Sequence, residues 1–506
     1  MEDLGPFASL PEARRSELIR AVDWRFLLRR SRPPRILDLT SGHIAEALPF
    51  VGTEADPEPA SADVVLLGFP TRRGLRRART ALAPGGEVVC LWRRPRIAGL
   101  WRARMRLRRA RFDRTSFHWP GPWPHRLPQY WLPVGAPGAA AWVFGREPPR
   151  SPLEAAMRRL WRPAERIGVL APLCAIGGTT GQSDDGETLD VNGSLALLTA
   201  GASTSDKVIG IPFENGSVTS AIVKVGRMPG ADEALERERR ALLHLADDLP
   251  QIAGVPRLRA AGRLAGRHAI AQTAIHGEAL SAKLTGATLD DLTSRVCDRL
   301  AELTGEAAPR PVSEWHRRLV AEPLERFERC FASKLERGAI DRLTQALADL
   351  PDLPLVIEHR DCGTWNIAIT PSGEIAIHDW EFAEPQGLPG CDVAFFLSTA
   401  ALDIDDLLAT PAPDPKPVLD SHLRHLDPST PSGQVVTRRS TEYCGRIGLD
   451  ADTFTRLRLL GWVTQALAGR RKFELELAGE PVDDPLRSSI LIRLLEAELR
   501  LFDGGR

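Results

Sequence analysis

The 506-residue chain has no run of eighteen apolar residues, so no helix long enough to cross a bilayer is expected. It has no net charge either, because 66 Lys and Arg balance 66 Asp and Glu, and overall charge points to no particular partner. Its seven cysteines (Cys90, Cys174, Cys297, Cys330, Cys362, Cys391 and Cys444) contain no Cys-x-x-Cys pair. That spacing argues against a zinc site and a disulfide framework, and it fits a reducing cytoplasm. The opening MEDLGPFASLPEARR is acidic and poor in apolar residues, unlike a secretory signal. No internal repeat is visible. What is left is an ordinary soluble composition in a chain too long for one core, which predicts two or three domains.

Three regions separate along the chain. Residues 1–148 hold the short apolar runs RILDL, ADVVLLGF and GEVVCLW, then become rich in Arg and Trp. Residues 149–190 read as a linker, with the amphipathic LEAAMRRLWRPAERIGVLAPL followed by the turn-forming GGTTGQSDDGET. Residues 191–506 begin with strands (SLALLTAG, KVIGIPF, SAIVKVG, HAIAQTAIHG) and continue into helices at 289–305, over most of 313–350, and in DADTFTRLRLLGWVTQALAGRR and SSILIRLLEAELRLF. This pattern implies a small β-rich lobe over 191–275 and a larger helical lobe over 276–506.

The stretch HRDCGTWN, His359–Asn366, stands between two apolar runs and carries His, Arg, Asp and Asn side chains. Polar groups held between buried strands are costly unless they bond one another or do chemistry. Asp361 and Asn366 are five apart, and the following strand ends in another acid, in His378-Asp379-Trp380-Glu381. Two acids and an amide offer the hard oxygen ligands that magnesium prefers. Lys224 lies in the apolar Ala-Ile-Val-Lys-Val, where an ammonium is costly unless it meets an anion. Glu238, beside Leu242 and Leu245 on the next helix, can point inward as its partner. A cation for phosphates, a metal site and a carboxylate near an acceptor are the parts of phosphoryl transfer.

His359-x-Asp361-x-x-x-x-Asn366, the hairpin after it and His378-Asp379-Trp380-Glu381 resemble segments of the aminoglycoside phosphotransferase and choline kinase-like family, over roughly residues 191–500. The resemblance implies an α+β bilobal protein-kinase-like domain that phosphorylates a small-molecule hydroxyl from ATP or GTP with Mg2+. It implies Asp361 as the catalytic base, grouped with His359, and Asn366 and Asp379 as magnesium ligands. Lys224 and Glu238 would set the nucleotide phosphates under a turn, Thr199–Lys207, that includes Gly201 and Ser203. Gln272 to Gly277, including Ala274, would meet adenine, and Asp392 would be a structural acid. The turn has one glycine where the family has a glycine-rich loop.

Ile36-Leu-Asp38-Leu, Ala62-Asp63-Val-Val-Leu-Leu-Gly and Ala83-Pro-Gly-Gly86-Glu-Val-Val resemble strands of a class I S-adenosylmethionine-dependent methyltransferase. That implies an α/β, shortened Rossmann-like N-terminal domain. The single glycine of Thr40-Ser-Gly42-His and the short crossover after it argue against tight S-adenosylmethionine binding. The Arg/Trp-rich segment 92–131 fits either a solvated basic helix or a face meeting anionic membrane, a phosphorylated glycan or nucleic acid, all of which Arg and Trp suit, and no specific nucleic-acid binding is expected. Two rival readings remain, a catalytically silent kinase-like scaffold and a methyltransferase regulated by nucleotide.

Overall fold

The structure, a computed structural model, describes residues 10–28, 30–40, 42, 44–92, 99–121, 127–136, 138, 139, 173–178, 187–191, 193–199, 207–214, 217–305, 307–408, 415–476 and 487–504. The chain divides into two compact units, Met1–Leu235 with Leu258–Ala274, and Glu236–Arg257 with Ile275–Arg506.

The first unit is built on one mixed sheet of thirteen strands. They are β1 (Arg35–Asp38), β2 (Thr53–Glu54), β3 (Ala62–Leu67), β4 (Leu82–Trp92), β5 (Arg114–Gly121), β6 (Tyr130–Pro133), β7 (Leu173–Gly178), β8 (Ser194–Leu198), β9 (Lys207–Glu214), β10 (Ser217–Val218), β11 (Ala221–Gly226), β12 (Leu258–Leu264) and β13 (Arg267–Thr273). Strands β2, β1, β3 and β4 are parallel neighbours, and β3 reaches β4 through the Arg72–Ala81 helix. Both faces of such strands are covered, so they read as continuous apolar runs, as ADVVLLGF does. From β4 onward the neighbours are antiparallel, in the order β4, β7, β5, β6, β8, β9, β11, β13, β12.

Two sequence expectations change here. Leu173–Gly178, read as linker, is a strand whose residues from Cys174 on are buried, between β4 and β5. Its partners lie more than fifty residues upstream, and no local pattern encodes such a pairing. Trp119 and Trp131, read as part of the Arg/Trp-rich segment 92–131, are buried on β5 and β6. The sheet also runs without a break across the expected boundaries at 148 and 190, because β6 pairs with β8 through Tyr130↔Leu198 and Trp131↔Leu197.

The second unit is mainly helical. Helices Leu289–Thr304, Glu322–Phe331, Ala339–Ala348, Cys391–Ile404, Pro415–Leu426, Pro431–Ile447, Ala451–Glu476 and Arg487–Gly504 surround four small strand pairings. These pairings use β14 (Glu278–Ala279), β15 (Pro309–Arg310), β16 (Leu353–Pro354), β17 (Val356–Glu358), β18 (Ile367–Ile369), β19 (Ile375–Ile377) and β20 (Glu384–Gly387). Cys391–Ile404 is apolar on nearly every side and is buried accordingly. No helix among the described residues is long and apolar enough to cross a membrane.

One buried carboxylate ties three of these helices together. Glu498, on the last helix, accepts from His422 Nε2 at 2.8 Å and Trp462 Nε1 at 2.7 Å, and it pairs with Arg458. Burial pushes its pKa up, but the Arg458 charge and the His422 and Trp462 contacts outweigh it and hold the group at about 2. A depressed carboxylate stabilises the fold above its unfolded value, and that contribution is lost as pH falls through the folded value. Glu498→Gln is therefore expected to cost roughly 3 kcal/mol at neutral pH, by linkage from the shift. In urea denaturation the gap between wild type and variant should close as pH falls from about 4.5 toward 2.

Candidate active site

The HRDCGTWN turn leaves β17 and enters β18, so it is pinned at both ends by strands. Its first amides are held from a distance. Asp392, near the start of the Cys391–Ile404 helix, accepts the amide N–H of His359 at 2.6 Å and of Arg360 at 2.9 Å. Burial and repulsion from Glu358 push the Asp392 carboxyl up, and the two amides act against that. Arg360 adopts a left-handed backbone (φ 62°), a strained state for a non-glycine residue. The strain is countered by contacts on both sides of the residue. Gln465 Nε2 donates to the Arg360 carbonyl at 2.7 Å, and the guanidinium reaches Glu358 at 3.1 Å.

His359 is 1% exposed, and both ring nitrogens are engaged with backbone. Nδ1 accepts from the Asp361 amide at 3.2 Å, which leaves Nε2 to donate to the His378 carbonyl at 3.0 Å. Its ring meets Trp380 edge-on at 4.7 Å. His359, grouped with the catalytic base in the sequence, ties the turn to His378, the residue just past β19.

Asp361 faces the remaining polar groups. Asn366 Nδ2 donates to the Asp361 carbonyl at 2.8 Å and to its carboxylate at 2.9 Å. Both amide hydrogens are thereby used, and the Asn366 amide oxygen is directed away from Asp361. Burial pushes the Asp361 carboxyl up to about 6; a hydrogen bond from Trp365 and the Asn366 amide work against this, and the charges of Asp379 and Glu381 add to it. Asp379 also has a left-handed backbone (φ 70°), at the point where β19 turns into Trp380–Phe382.

This donor set fits a hard divalent cation. Asp379 and Glu381 crowd negative charge toward Asp361, and a cation would relieve it. Among the described residues no group of three or more His, Cys, Asp or Glu could hold a metal by itself. Two acids and an amide would need water or nucleotide oxygens to complete a shell, which is how magnesium is usually held.

Trp365 went unassigned in the sequence, and the structure gives it a place. It is 38% exposed, and its ring meets Phe395 edge-on at 5.9 Å. Gly363 makes room for it, since a Cβ there would lie 2.4 Å from the indole ring. Gln465 is a second residue that sequence reading passed over, because it acts from a helix a hundred residues downstream.

The other expected site residues are described within their own units. Lys224 and Gln272 belong to the first unit, on β11 and β13. The pairings Lys224↔Ile270 and Ile222↔Gln272 put both side chains on one sheet face, opposite the buried Val223, Val225, Ala269 and Ala271. Both are almost fully buried. Ala274 follows β13, its amide donating to the Ser220 carbonyl at 2.8 Å. Glu238 is fully buried on the Pro229–Asp248 helix, in the part that belongs to the second unit. Gly201 and Ser203 lie outside the described residues.

Asp392→Ala should leave the His359 and Arg360 amides without an acceptor and lower stability by about 2 kcal/mol, with a smaller loss for Asp392→Asn, which keeps one acceptor oxygen. Urea denaturation of both variants checks the ranking.

Residues 213–413, about two fifths of the chain, match the sequence model of the phosphotransferase enzyme family, so this region carries a phosphotransferase-family domain. No curated protein matches the chain. Among solved structures the chain is similar to aminoglycoside phosphotransferase APH(3'')-Id from Streptomyces rimosus ATCC10970, at 17% identity over 52% of this chain and 91% of that one, with TM-score 0.35. It is similar to a thermostable mutant of aminoglycoside phosphotransferase APH(4)-Ia at 15% identity, over 61% and 94%, with TM-score 0.38. It is also similar to a choline/ethanolamine kinase family protein from Mesorhizobium loti at 15% identity, over 62% and 89%, with TM-score 0.36. At TM-scores this low the likenesses carry no argument.

Proposed function

We propose that the chain is a nucleotide-dependent phosphotransferase acting on a hydroxyl of a small molecule, with Asp361 as its catalytic base. The observation that carries this reading is a phosphotransferase-family region whose central turn holds a buried, half-raised carboxylate in a fixed orientation. A base with a pKa near 6 is largely ionised at neutral pH and basic enough to take a proton in the transition state. Asp361 accepts the acceptor's hydroxyl proton as that oxygen bonds the terminal phosphoryl group and the nucleoside diphosphate leaves. Asn366 and Asp379 are the residues we assign to magnesium, which when bound neutralises charge on the phosphate oxygens. Lys224 and Glu238 are assigned to the nucleotide phosphates, and Gln272 and Ala274 to the base. ATP and GTP are both compatible with this assignment.

The strand order in the sheet, β2-β1-β3-β4, all parallel, followed by antiparallel β7 and β5, supports reading the N-terminal part as a shortened Rossmann-like domain. Asp38 ends β1, and its carboxylate accepts the Thr40 amide at 2.7 Å. That acceptor is therefore occupied by the chain's own turn. Calorimetric titration of the full chain with S-adenosylmethionine is expected to give no micromolar binding, and micromolar binding abolished by Asp38→Ala would reverse this part of the reading.

Asp361→Asn should abolish turnover while leaving magnesium-nucleotide binding nearly intact, since an amide of similar shape cannot act as a base; the loss is on the order of 10² to 10⁴ in rate. Asp379→Asn should lose metal-dependent binding as well, because it removes charge from a site with few protein ligands. Lys224→Ala should fall between them. Nucleotide affinity with and without magnesium, and nucleoside diphosphate release over a panel of hydroxyl metabolites, test all three. Wild-type turnover by Asp361→Asn would sink the assignment of the base, and a wild-type chain that binds no nucleotide would favour the silent scaffold.

A further inference from the structure

The helices Arg72–Ala81 and Gly99–Arg109 pack beside one another on one face of the first unit's sheet, burying Leu75, Ala78, Ala81, Ala103 and Leu107 against it. Their outer sides are almost wholly cationic. Arg72, Arg73, Arg76, Arg77 and Arg79 are exposed on the first, and Arg102, Arg104, Arg108 and Arg109 on the second. Neither helix contains an acid, and between Val64 and Phe112 the only Asp or Glu is Glu87, which pairs with Arg30. Arg79 lies over the Phe112 ring and Arg104 over Phe117, but none of the nine forms an ion pair with a described residue. Arginines at Arg72/Arg76, Arg73/Arg77 and Arg104/Arg108 repel at the i,i+4 spacing, which weakens both helices unless an anion lies against them. Beside them Trp101 is 60% exposed, whereas Trp92, Trp119 and Trp131 are buried.

We propose that this two-helix face docks the protein on an anionic lipid bilayer, with the arginines against headgroup phosphates and Trp101 in the interfacial layer. Two helices side by side offer a patch of one sign, which complements an anionic surface. Single-stranded nucleic acid is bound on several stacking aromatics, and among the described residues this patch exposes one, Trp101. The apolar sides of both helices are already used in the core, so among the described residues of this face Trp101 is the one large apolar side chain exposed to enter the lipid. Attachment is then electrostatic and reversible rather than the burial of an amphipathic face, and it must weaken with salt.

Co-sedimentation of the full chain with vesicles tests this. Phosphatidylglycerol-containing vesicles should bind it at about 50 mM salt and release it at about 500 mM, and pure phosphatidylcholine vesicles should not bind. Neutralising four arginines together (Arg73→Gln, Arg77→Gln, Arg102→Gln, Arg108→Gln) should weaken binding by more than about ten-fold, each near-surface charge being worth about five-fold at low salt. All four side chains are exposed, so the thermal midpoint should not fall. Trp101→Ala should weaken binding with the salt dependence unchanged. Absence of wild-type binding to the anionic vesicles at low salt would overturn the proposal, as would a quadruple variant that binds like wild type. Tighter binding to RNA than to the vesicles, in direct competition, would overturn it in favour of a nucleic-acid face.

Discussion

The candidate site hangs on one carboxylate that touches no substrate. Asp392 takes the consecutive amides of His359 and Arg360 from thirty residues away, and this contact sets the path of the turn. With those amides fixed, Arg360 is held in its left-handed state, His359 swings its ring to the His378 carbonyl, and Asp361 is turned toward Asn366. Two amides without this acceptor would each carry a desolvation penalty of about 1–3 kcal/mol, comparable to the strain stored at Arg360. The arrangement is therefore cooperative. A loss at Asp392 or Gln465 would reach Asp361 through the backbone before it reached any reacting atom.

What the sequence made legible was local or carried by spacing. The apolar runs of β3, β9 and β11 and the periodic helices stand where their patterns predict, and His359, Asp361, Asn366 and Asp379 converge because a hairpin of fixed length brings turn and strand end together. What stayed hidden was long-range. Leu-Cys-Ala-Ile-Gly-Gly is too short to declare itself against glycine-rich neighbours, and it becomes a strand only because β4 and β5 flank it. Arg-rich β12, Leu258–Leu264, is the last full strand of the sheet, and its outer edge is met only at Arg263, by the Glu187–Leu189 segment. Gln465 carried no signal at all, since a helix amide that reaches a distant carbonyl resembles any other polar helix residue. Trp365 was visible, but its packing against Phe395, thirty residues downstream, is encoded by no spacing.

The continuity of the first unit's sheet has a mechanical consequence for the nucleotide side of the proposed reaction. Strand β8 leads into the turn assigned to the phosphates, and β11 carries Lys224. The edge of β8 is covered by β6, so the N-terminal part supplies the hydrogen bonds that hold this strand straight. A second tie lies at the strand ends. Asp23 lies 3.2 Å from Arg227 and 3.6 Å from Arg25, Arg25 donates to the Arg227 carbonyl at 2.7 Å, and Arg227 donates to the Thr199 carbonyl at 3.3 Å. All three charged residues are fully buried. Arg227 directly follows β11 and Thr199 directly follows β8, so residues from the N-terminal segment clamp the ends of both strands together. Removing Asp23 and Arg25 would strand a buried guanidinium, the most costly way to break such a network. The N-terminal part is thus a structural component of the small sheet that presents Lys224, whether or not it binds a cofactor of its own. Any scheme that treats it as a separable module must first explain how β8 and Arg227 would be satisfied without it.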